Sequence, residues 1–404
     1  MARKPTRDLT VEQQLARGPM DLPFLMLVVM LVGIGLIVVF SASYAAAYYD
    51  EDISSPLFYI QRQAVFAGLG LAVMYAVSKV NYQRLRLLSV PMLLGTIVLL
   101  VLVLTPLGVE LNNAQRWLNL FFIAGPTYQP SELAKISIIV FFAARLSKRN
   151  TEKKRKFSTR TFAGRALNFM EKIGLMELLP YIGVLGLVLV LVVMEPHMSG
   201  TILIMVGAAA VLFAAGISLA WFLSVGSLAV SGLLLIIFTT DYMTKRVELW
   251  LNPWLDPQGK GFQTIQSLLS IGSGGLLGKG LGNSAQKFEF LPEPENDFVF
   301  SVGVEELGFV GGALILILFM LLIMRGYWLA LHSRDKFGSL LIVGIMALLS
   351  VQVFFNIGVV TNLIPNTGIS LPFFSYGGTA LVIHLAEMGV VLSVSRQIPA
   401  PKKD

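Results

Sequence analysis

The sequence predicts an all-α integral membrane protein, a polytopic bundle of about ten transmembrane helices. Of its 404 residues, 55% are hydrophobic and only 14% are charged, which leaves too little polar surface to cover a soluble core. The apolar residues are gathered in blocks about as long as the ~20 residues that a helix needs to cross ~30 Å of hydrocarbon. Because these blocks lack the alternation of a membrane β-barrel, helices are the expected spanning structure.

Ten apolar blocks are candidate spans. The first starts near Pro23, is long enough to cross the membrane and lacks the cleavage pattern of a signal peptide. The fifth and sixth form one apolar stretch that is divided only around Pro196. The predicted spans are residues 23–43, 61–79, 87–106, 132–146, 178–195, 199–216, 219–240, 298–324, 339–363 and 372–394.

The distribution of Lys and Arg predicts the orientation of the bundle. Connections rich in basic residues alternate with connections that are poor in them, and the rich set is expected to be cytoplasmic. Both termini then lie in the cytoplasm, in agreement with an even number of spans. The predicted organisation is a cytoplasmic tail at 1–22, a ten-span domain at 23–395 with a large extracytoplasmic loop at 241–297 between spans 7 and 8, and a cytoplasmic tail at 396–404.

Charge and cysteine content narrow the classes of function. The net charge of +7 is accounted for by basic cytoplasmic connections, so it does not indicate nucleic-acid binding. The chain contains no cysteine, which excludes disulfides and thiolate metal sites. Its three histidines, His197, His332 and His384, are widely spaced and match no metal-binding motif.

Two irregular segments are the expected location of a functional site. The loop 241–297 is rich in Gly, Pro, Asn, Gln and aromatic residues, is too polar to span a membrane and is too long for a simple turn. The stretch 364–378 is irregular at membrane depth, which is tolerated only where the backbone is buried in protein or faces a wet cavity.

Asp297 lies where the polar loop meets the next span, after the sequence Leu-Pro-Glu-Pro-Glu-Asn. A carboxylate at the rim of a low-dielectric site can have a raised pKa and act as a general base. The alternative is structural, because an Asp just before an apolar helix often caps it.

Glu132 and Lys135 are the second candidate pair. They are three residues apart, so they share one helical face at the end of a predicted span. Charges in a membrane are costly and mark either function or a structural ion pair. Arg116 and Trp117, shortly before, offer a cation and an aromatic platform, although an interfacial aromatic belt also explains Trp117.

The glycine-rich run 272–282 is not a nucleotide-binding loop. Ser273 stands where a Walker motif needs its first glycine, and Gly280 follows Lys279 where Ser or Thr is required. Backbone N–H groups with Lys279 remain candidates for holding a pyrophosphate, and a re-entrant loop is the alternative. Of Glu305 and Glu306, within the following span, at least one is expected to face the bundle interior.

Motifs spread in order over nearly the whole chain resemble the SEDS family (shape, elongation, division and sporulation). The details are closer to its division and sporulation members than to its elongation members. The motifs are Arg116-Trp117, Gln129-Pro130-Ser131-Glu132, Lys135, Asn252-Pro253-Trp254-Leu255-Asp256-Pro257, Gly259-Lys260-Gly261-Phe262-Gln263, Gln266-Ser267, Gly280-Leu281-Gly282-Asn283-Ser284, Gln286-Lys287, Leu291-Pro292-Glu293, Asp297-Phe298, Glu305-Glu306-Leu307-Gly308, Leu371-Pro372 and Ser375-Tyr376-Gly377-Gly378.

The chain departs from the family pattern at one turn. It has Glu195-Pro196-His197-Met198-Ser199-Gly200-Thr201 where many members have Gln-Pro-Asp-Leu-Gly-Thr. His197 therefore replaces a carboxylate, and no acidic role can be carried over to that position.

The resemblance implies a peptidoglycan glycosyltransferase that polymerises lipid II on the outer face of the bacterial plasma membrane, with undecaprenyl pyrophosphate as leaving group. It implies a single-pass class B penicillin-binding protein and other divisome proteins as partners. The family's essential aspartate falls on Asp297, and its paired Glu and Lys fall on Glu132 and Lys135. The residues expected to bind substrate are Arg116, Trp117, Arg246, Lys279, Gln286, Lys287, Ser375 and Tyr376.

The expected cofactor is at most a divalent cation, Mg²⁺ or Mn²⁺, for which Asp297 is a candidate ligand, and no nucleotide is needed. Two other functions use the same residues. A lipid II flippase would use the polar intramembrane groups as a transport path. A non-catalytic scaffold would only recruit the penicillin-binding protein.

Overall fold

A computed structural model describes the greater part of the chain. The described residues are 18–49, 55–111, 114–119, 127–149, 168, 174–227, 231, 241–259, 261–288, 291–292 and 294–398. The tails predicted at 1–22 and 396–404 and the basic connection after the fourth span therefore lie largely outside them. The cytoplasmic placement of both tails stays a prediction.

The described chain is a helical bundle, and the prediction of an all-α membrane fold is confirmed. Its labelled helices are α1 Leu22–Tyr49, α2 Phe58–Lys79, α3 Gln83–Val103, α4 Pro130–Leu146, α5 Leu175–Met194, α6 Met198–Ala214, α7 Asp241–Leu251, α8 Phe262–Ser273, α9 Val299–His332, α10 Lys336–Val360 and α11 Gly378–Ser395. Six of them, α1, α2, α3, α9, α10 and α11, are long and apolar enough to cross a membrane. Shorter apolar helices occupy 178–194 and 198–214, in the fifth and sixth predicted spans.

The predicted spans fall on described helices, although several ends differ; α1, for example, continues to Tyr49 beyond the predicted end at 43. The seventh span, 219–240, is described as helical only at 219–227 and 231, so the count of ten stays a prediction. Helix α9 continues to His332 beyond the predicted end at 324, because Arg325 has an ion-pair partner in Asp21 and extends the helix instead of ending it. The helix of the tenth predicted span, α11, starts at Gly378 and not at 372, because residues 372–377 belong to the irregular segment.

Among the described residues, a small antiparallel sheet is an element that the sequence prediction did not contain. Strands β1 Gly108–Leu111, β2 Ala114–Asn119 and β3 Thr127–Tyr128 lie in the order β1-β2-β3 between α3 and α4. Strands this short carry too little alternation to be recognised in a sequence. The sheet holds Arg116 and Trp117 close to the start of α4.

Helices α10 and α11 form the interior of the bundle. Helix α10 packs against α9, α6 and α4, and α11 packs most extensively against α2. Glycines allow the close approach in the α2–α11 pair, since a Cβ on Gly389 would lie 2.6 Å from the carbonyl oxygen of Met74. In contrast, α2 and α3 turn most of their apolar surface outward, as expected for helices that face lipid.

Helix α9 is broken at Gly308, and the glycine-rich run 272–282 supplies hydrogen-bond partners to the backbone groups on both sides of the break. Gly308 has φ 71° and ψ −176°, which interrupts the helical hydrogen bonds. The N–H groups of Lys279 and Gly280 donate to the carbonyls of Glu305 and Glu306, at 3.0 Å each. On the other side of the break, the N–H groups of Phe309 and Val310 donate to the carbonyls of Gly275 and Leu276, at 2.9 and 3.1 Å.

Candidate active site

Asp297 lies in a turn immediately before α9 and is half-buried. Its carbonyl accepts a hydrogen bond of 2.8 Å from Nδ2 of Asn356, which also donates at 2.9 Å to the carbonyl of Ile369. A Cβ on Gly368 would come within 3.3 Å of Oδ2 of Asp297, so the carboxylate approaches this glycine closely. The N-cap of α9 is Phe298, so Asp297 lies one residue before the usual capping position.

The irregular segment that precedes α11 lies beside this turn, as the sequence predicts. The N–H of Tyr376 donates to the carbonyl of Glu295 at 2.8 Å. The hydroxyl of Ser375 accepts the N–H of Leu371 at 2.7 Å, within the segment itself. The structure thus brings two predicted substrate-binding residues next to the aspartate turn.

Helix α2 fixes the same segment from the other side. Nε2 of Gln63 donates to the carbonyl of Ser375 at 3.2 Å, and Oε1 of Gln63 accepts the N–H of Gly377 at 3.3 Å. The ring of Tyr59 meets the ring of Tyr376 edge-on, with centroids 4.9 Å apart. Gln63 and Tyr59 were not among the candidate residues, and nothing in their local sequence separates them from other residues of an apolar helix.

Glu132 and Lys135 form the ion pair that their spacing predicts. The Nζ of Lys135 lies 2.7 Å from Oε2 of Glu132, and the side chains are 2% and 12% exposed. Glu132 lies in the first turn of α4, where the helix dipole favours a negative charge. On α11, which packs against α4, Nδ1 of His384 lies 3.3 Å from Oε2 of Glu387.

The turn between α5 and α6 completes this cluster of charges. His197 Nδ1 lies 2.9 Å from the hydroxyl of Ser131, and Arg116 donates at 2.5 Å to the carbonyl of Pro196 and at 3.3 Å to that of Glu195. The carboxylate of Glu195 is buried and has no hydrogen-bond partner. Sequence reasoning noted the unusual His197 here but missed Glu195.

Burial shifts the pKa values of two side chains in this turn in opposite directions. It raises the pKa of the Glu195 carboxyl to about 8, against the opposing effect of the Arg116 guanidinium. It lowers the pKa of the His197 imidazole to about 4, against the opposing effect of Glu132. At neutral pH both side chains are therefore predominantly uncharged.

The other predicted substrate-binding residues are dispersed. Trp117 is half-buried on β2, opposite Val109. Gln286 is half-buried with a side-chain oxygen that lacks a hydrogen-bond partner. Arg246 lies on α7, but its side chain is outside the described part of the protein. A substrate-binding role for each of them stays a prediction.

The two lysines of the segment after α8 are paired with glutamates. Lys279 Nζ lies 2.6 Å from Glu305 Oε1, and Lys287 Nζ lies 3.0 Å from Glu306 Oε1. Both glutamates are buried, whereas the Lys279 side chain is 36% exposed. The structure thus gives both lysines an anionic partner within the protein.

The donors near Asp297 offer few ligands to a divalent cation. Within the described ranges, no three His, Asp or Glu side chains converge on a point where a metal ion could be held. Asp297 could supply one carboxylate ligand, and the remaining ligands would have to come from substrate phosphates and water. A cation stays a prediction for this site.

The fold and the motifs match known proteins over almost the whole chain. A family profile named for FtsW, RodA and SpoVE and described as "Cell cycle protein" matches residues 22–399. The chain is 41% identical over 378 residues to stage V sporulation protein E of Bacillus subtilis, which covers 93% of this chain and 97% of that relative. It is 39% identical over 380 residues to the probable peptidoglycan glycosyltransferase FtsW of Geobacter metallireducens, with 94% and 95% covered.

A solved structure shows the same fold. It concerns the structural coordination of polymerization and crosslinking by a peptidoglycan synthase complex, and one of its chains superposes with a TM-score of 0.70 at 31% identity. The match covers 95% of this chain and 99% of that chain. The similarity therefore extends to the arrangement of the helices and is not confined to the motifs.

Proposed function

Since the chain belongs to the FtsW, RodA and SpoVE family of cell cycle proteins, we propose that it is a peptidoglycan glycosyltransferase that polymerises lipid II. The SEDS resemblance inferred from the motifs is confirmed by that membership. The observation that supports this function best is the placement of Asp297, a half-buried carboxylate in a turn fixed by Asn356 and adjoined by the segment that carries Ser375 and Tyr376.

In the proposed reaction, the C4 hydroxyl of the GlcNAc of one lipid II attacks C1 of the MurNAc of the other. Asp297 accepts the hydroxyl proton, directly or through a water molecule, as the new O4–C1 bond forms. The bond between C1 and the phosphate oxygen breaks, and undecaprenyl pyrophosphate departs with the electron pair. Attack opposite to the leaving group inverts the configuration at C1.

The cluster around Glu132 and Lys135 has a supporting electrostatic role in this proposal. Charge develops on the pyrophosphate as it leaves, and fixed cations in a low-dielectric site stabilise that charge more than water does. Lys135 is buried and held by Glu132, and Arg116 is held by the carbonyls of 195 and 196. Both cations are thus fixed in place before substrate binds.

The proposed setting is the outer face of the bacterial plasma membrane, with both termini in the cytoplasm. The proposed partner is a class B penicillin-binding protein, together with other divisome proteins. Support for a partner comes from the synthase complex that contains the structural relative. Loop 241–297 ends at Asp297 and would lie on the same face as the substrate sugars.

The proposal is tested by glycan polymerisation from fluorescent lipid II. Purified protein with its penicillin-binding partner is compared with Asp297→Ala, with and without Mg²⁺ or Mn²⁺, and the products are separated on a gel. The control variant is Glu110→Gln, which removes an exposed carboxylate from β1. Wild type and the control are expected to give a ladder, and Asp297→Ala none.

The other outcomes discriminate the rival functions. No ladder from an intact wild-type complex would contradict polymerisation and favour a lipid II flippase or a scaffold. A ladder from both wild type and Asp297→Ala would keep the polymerase but exclude Asp297 as its base. A ladder that requires added metal would support the cation.

A further inference from the structure

Lys287 has no donor left with which to bind a substrate phosphate. Its ammonium group carries three N–H donors. The Nζ donates to the carbonyl of Gly282 at 2.8 Å, to Oε1 of Glu306 at 3.0 Å and to the hydroxyl of Ser41 at 3.1 Å. The side chain is only 3% exposed. Its contacts all lie within the protein, so a structural task fits them better than a substrate contact.

Lys279 belongs to the same kind of arrangement at the protein surface. Its Nζ donates to Glu305 Oε1 at 2.6 Å and to the hydroxyl of Ser273 at 2.9 Å. Its backbone N–H also donates to the carbonyl of Glu305. Main chain and side chain of one lysine thus hold the same glutamate, and that glutamate lies three residues before the break at Gly308.

The two glutamates collect donors from several parts of the fold. Glu305 also accepts hydrogen bonds from Ser270 of α8 at 3.1 Å and from Ser284 at 2.5 Å. Glu306 accepts from Ser41 of α1 at 2.6 Å and from the N–H of Ser284 at 3.2 Å. The end of the first part of α9 is therefore tied to α1, α8 and the segment 279–287.

The short helical part 299–307 links Glu305 and Glu306 to Asp297. The part of α9 before the break, residues 299–307, is about 13 Å long at 1.5 Å per residue. Asp297 lies just before one end of this rod, and Glu305 and Glu306 lie at the other. A tilt of about 5° would displace the aspartate turn by about 1 Å, an error that can cost about 100-fold in rate.

We propose that Lys279 and Lys287 are positioning residues that fix the orientation of 299–307, and with it Asp297, through Glu305 and Glu306. The inference rests on the proposed function, because it assigns the two lysines to the aspartate and not to the substrate. The glycine-rich run supplies the backbone that docks at the break, and the lysines supply the charges that hold it there.

The test is a double-mutant cycle with Lys279→Met and Glu305→Gln, assayed for polymerisation at varied lipid II concentration. Each single variant is expected to lower kcat by about 10- to 100-fold and to leave the KM for lipid II within about twofold. The double variant is expected to be no slower than the slower single one, because both remove the same contact. Lys279→Arg should restore most of kcat. The control is Lys245→Met, an exposed lysine of α7.

A lysine that binds the pyrophosphate would behave differently. Lys279→Met would then raise KM for lipid II or the sensitivity of lipid II binding to salt. Glu305→Gln would keep kcat and KM close to the wild-type values. The loss in the double variant would be the product of the losses in the two single variants. Any of these results would overturn the proposal. Should Glu305→Gln fail to elute as a folded protein, the split between KM and kcat in Lys279→Met and its rescue by Lys279→Arg decide the question.

Hydrogen–deuterium exchange without substrate separates this inference from the proposed function. Lys279→Met should accelerate exchange at the N–H groups of residues 279, 280, 309 and 310, which bridge the break, while Lys245→Met leaves them protected. If wild type makes no glycan, the proposed function fails and this measurement still tests the contact. Unchanged protection in Lys279→Met would overturn the positioning role.

Discussion

Two regions of the protein neutralise buried glutamates with lysine in different ways. In the α4 region, Glu132 pairs with Lys135 one helical turn away. At the break in α9, Glu305 pairs with Lys279, 26 residues before it in the chain, and accepts further hydrogen bonds from serine hydroxyls and a backbone N–H. A local pair depends on a single helix, whereas the distant pair joins elements. The first pair is expected to contribute more to stability, and the second more to the orientation of residues 299–307.

The largest effect on stability is expected from Lys135→Met. The substitution leaves the carboxylate of Glu132 buried without its lysine, which costs about 3–5 kcal/mol for a buried pair. Lys279→Met should cost less than about 1 kcal/mol, because the lysine is partly solvated and Glu305 keeps its other donors. Reversible unfolding in mixed micelles measures both. Equal losses in the two variants would remove the distinction between the regions.

Gly308→Ala tests the docking of the glycine-rich run. A Cβ at residue 308 would lie 2.2 Å from the backbone nitrogen of Gly278, and φ of 71° is unfavourable for alanine. The expected loss is about 2 kcal/mol or more of unfolding free energy, with lower polymerisation. The control is Gly95→Ala on α3, where nothing lies within 4 Å and alanine favours the helix. A Gly308→Ala variant as stable and active as this control would refute the account of the break.

The turn 195–197 extends the comparison, because the buried carboxyl of Glu195 has no lysine partner, unlike those of Glu132 and Glu305. The pKa of Glu195 is raised from 4.5 to about 8, so its contribution to stability is present at low pH and is lost as pH rises towards 8. The pKa of His197 is lowered from 6.5 to about 4. Its contribution to stability is therefore present above pH 6.5 and is lost as pH falls towards 4.

Of these two groups, Glu195 alone titrates between pH 6.5 and 8. We expect the Tm of wild type, followed by tryptophan fluorescence in detergent, to fall over this range, and Glu195→Gln to flatten the dependence. His197→Gln should leave the fall in place, since its titration lies at lower pH. The same slope in wild type and Glu195→Gln would show that the carboxyl is ionised throughout.

A smaller effect than those of Lys135→Met and Gly308→Ala is expected at Ser41, which joins α1 to the pair of Glu306 and Lys287. Ser41→Ala should cost about 1–2 kcal/mol, because the hydroxyl donates to a carboxylate at 2.6 Å. Ser43, two residues along the same helix, is also buried, but its hydroxyl has no hydrogen-bond partner. Ser43→Ala is therefore expected to be neutral or stabilising, and similar losses in the two variants would contradict the assigned contact.

The sequence predicts those features that depend on local spacing. The apolar blocks predict the helices, the spacing of Glu132 and Lys135 predicts their ion pair, and the Pro- and Gly-rich stretches predict the irregular segments. The position of Asp297 at the start of a helix also follows from the end of the polar loop.

Contacts between distant parts of the chain could not be predicted from local spacing. Lys279 and Lys287 look like free cations in a polar loop, and only the fold shows the glutamates that receive them. The contact of Arg116 with the carbonyl of Glu195 spans 79 residues. Strands of two to six residues have no periodicity to detect, so the small sheet was missing from the prediction.

The central claim is that Asp297 takes the proton from the attacking hydroxyl, and the direct test is the single-turnover rate of Asp297→Asn at saturating lipid II, with lipid II affinity measured in parallel. The isosteric amide cannot act as the base, so the rate should fall by about 100- to 10,000-fold while the affinity stays within about twofold. Glu110→Gln serves as the matched control and should retain the wild-type rate. A rate for Asp297→Asn within about threefold of wild type, or a loss explained entirely by weaker binding, would contradict the claim.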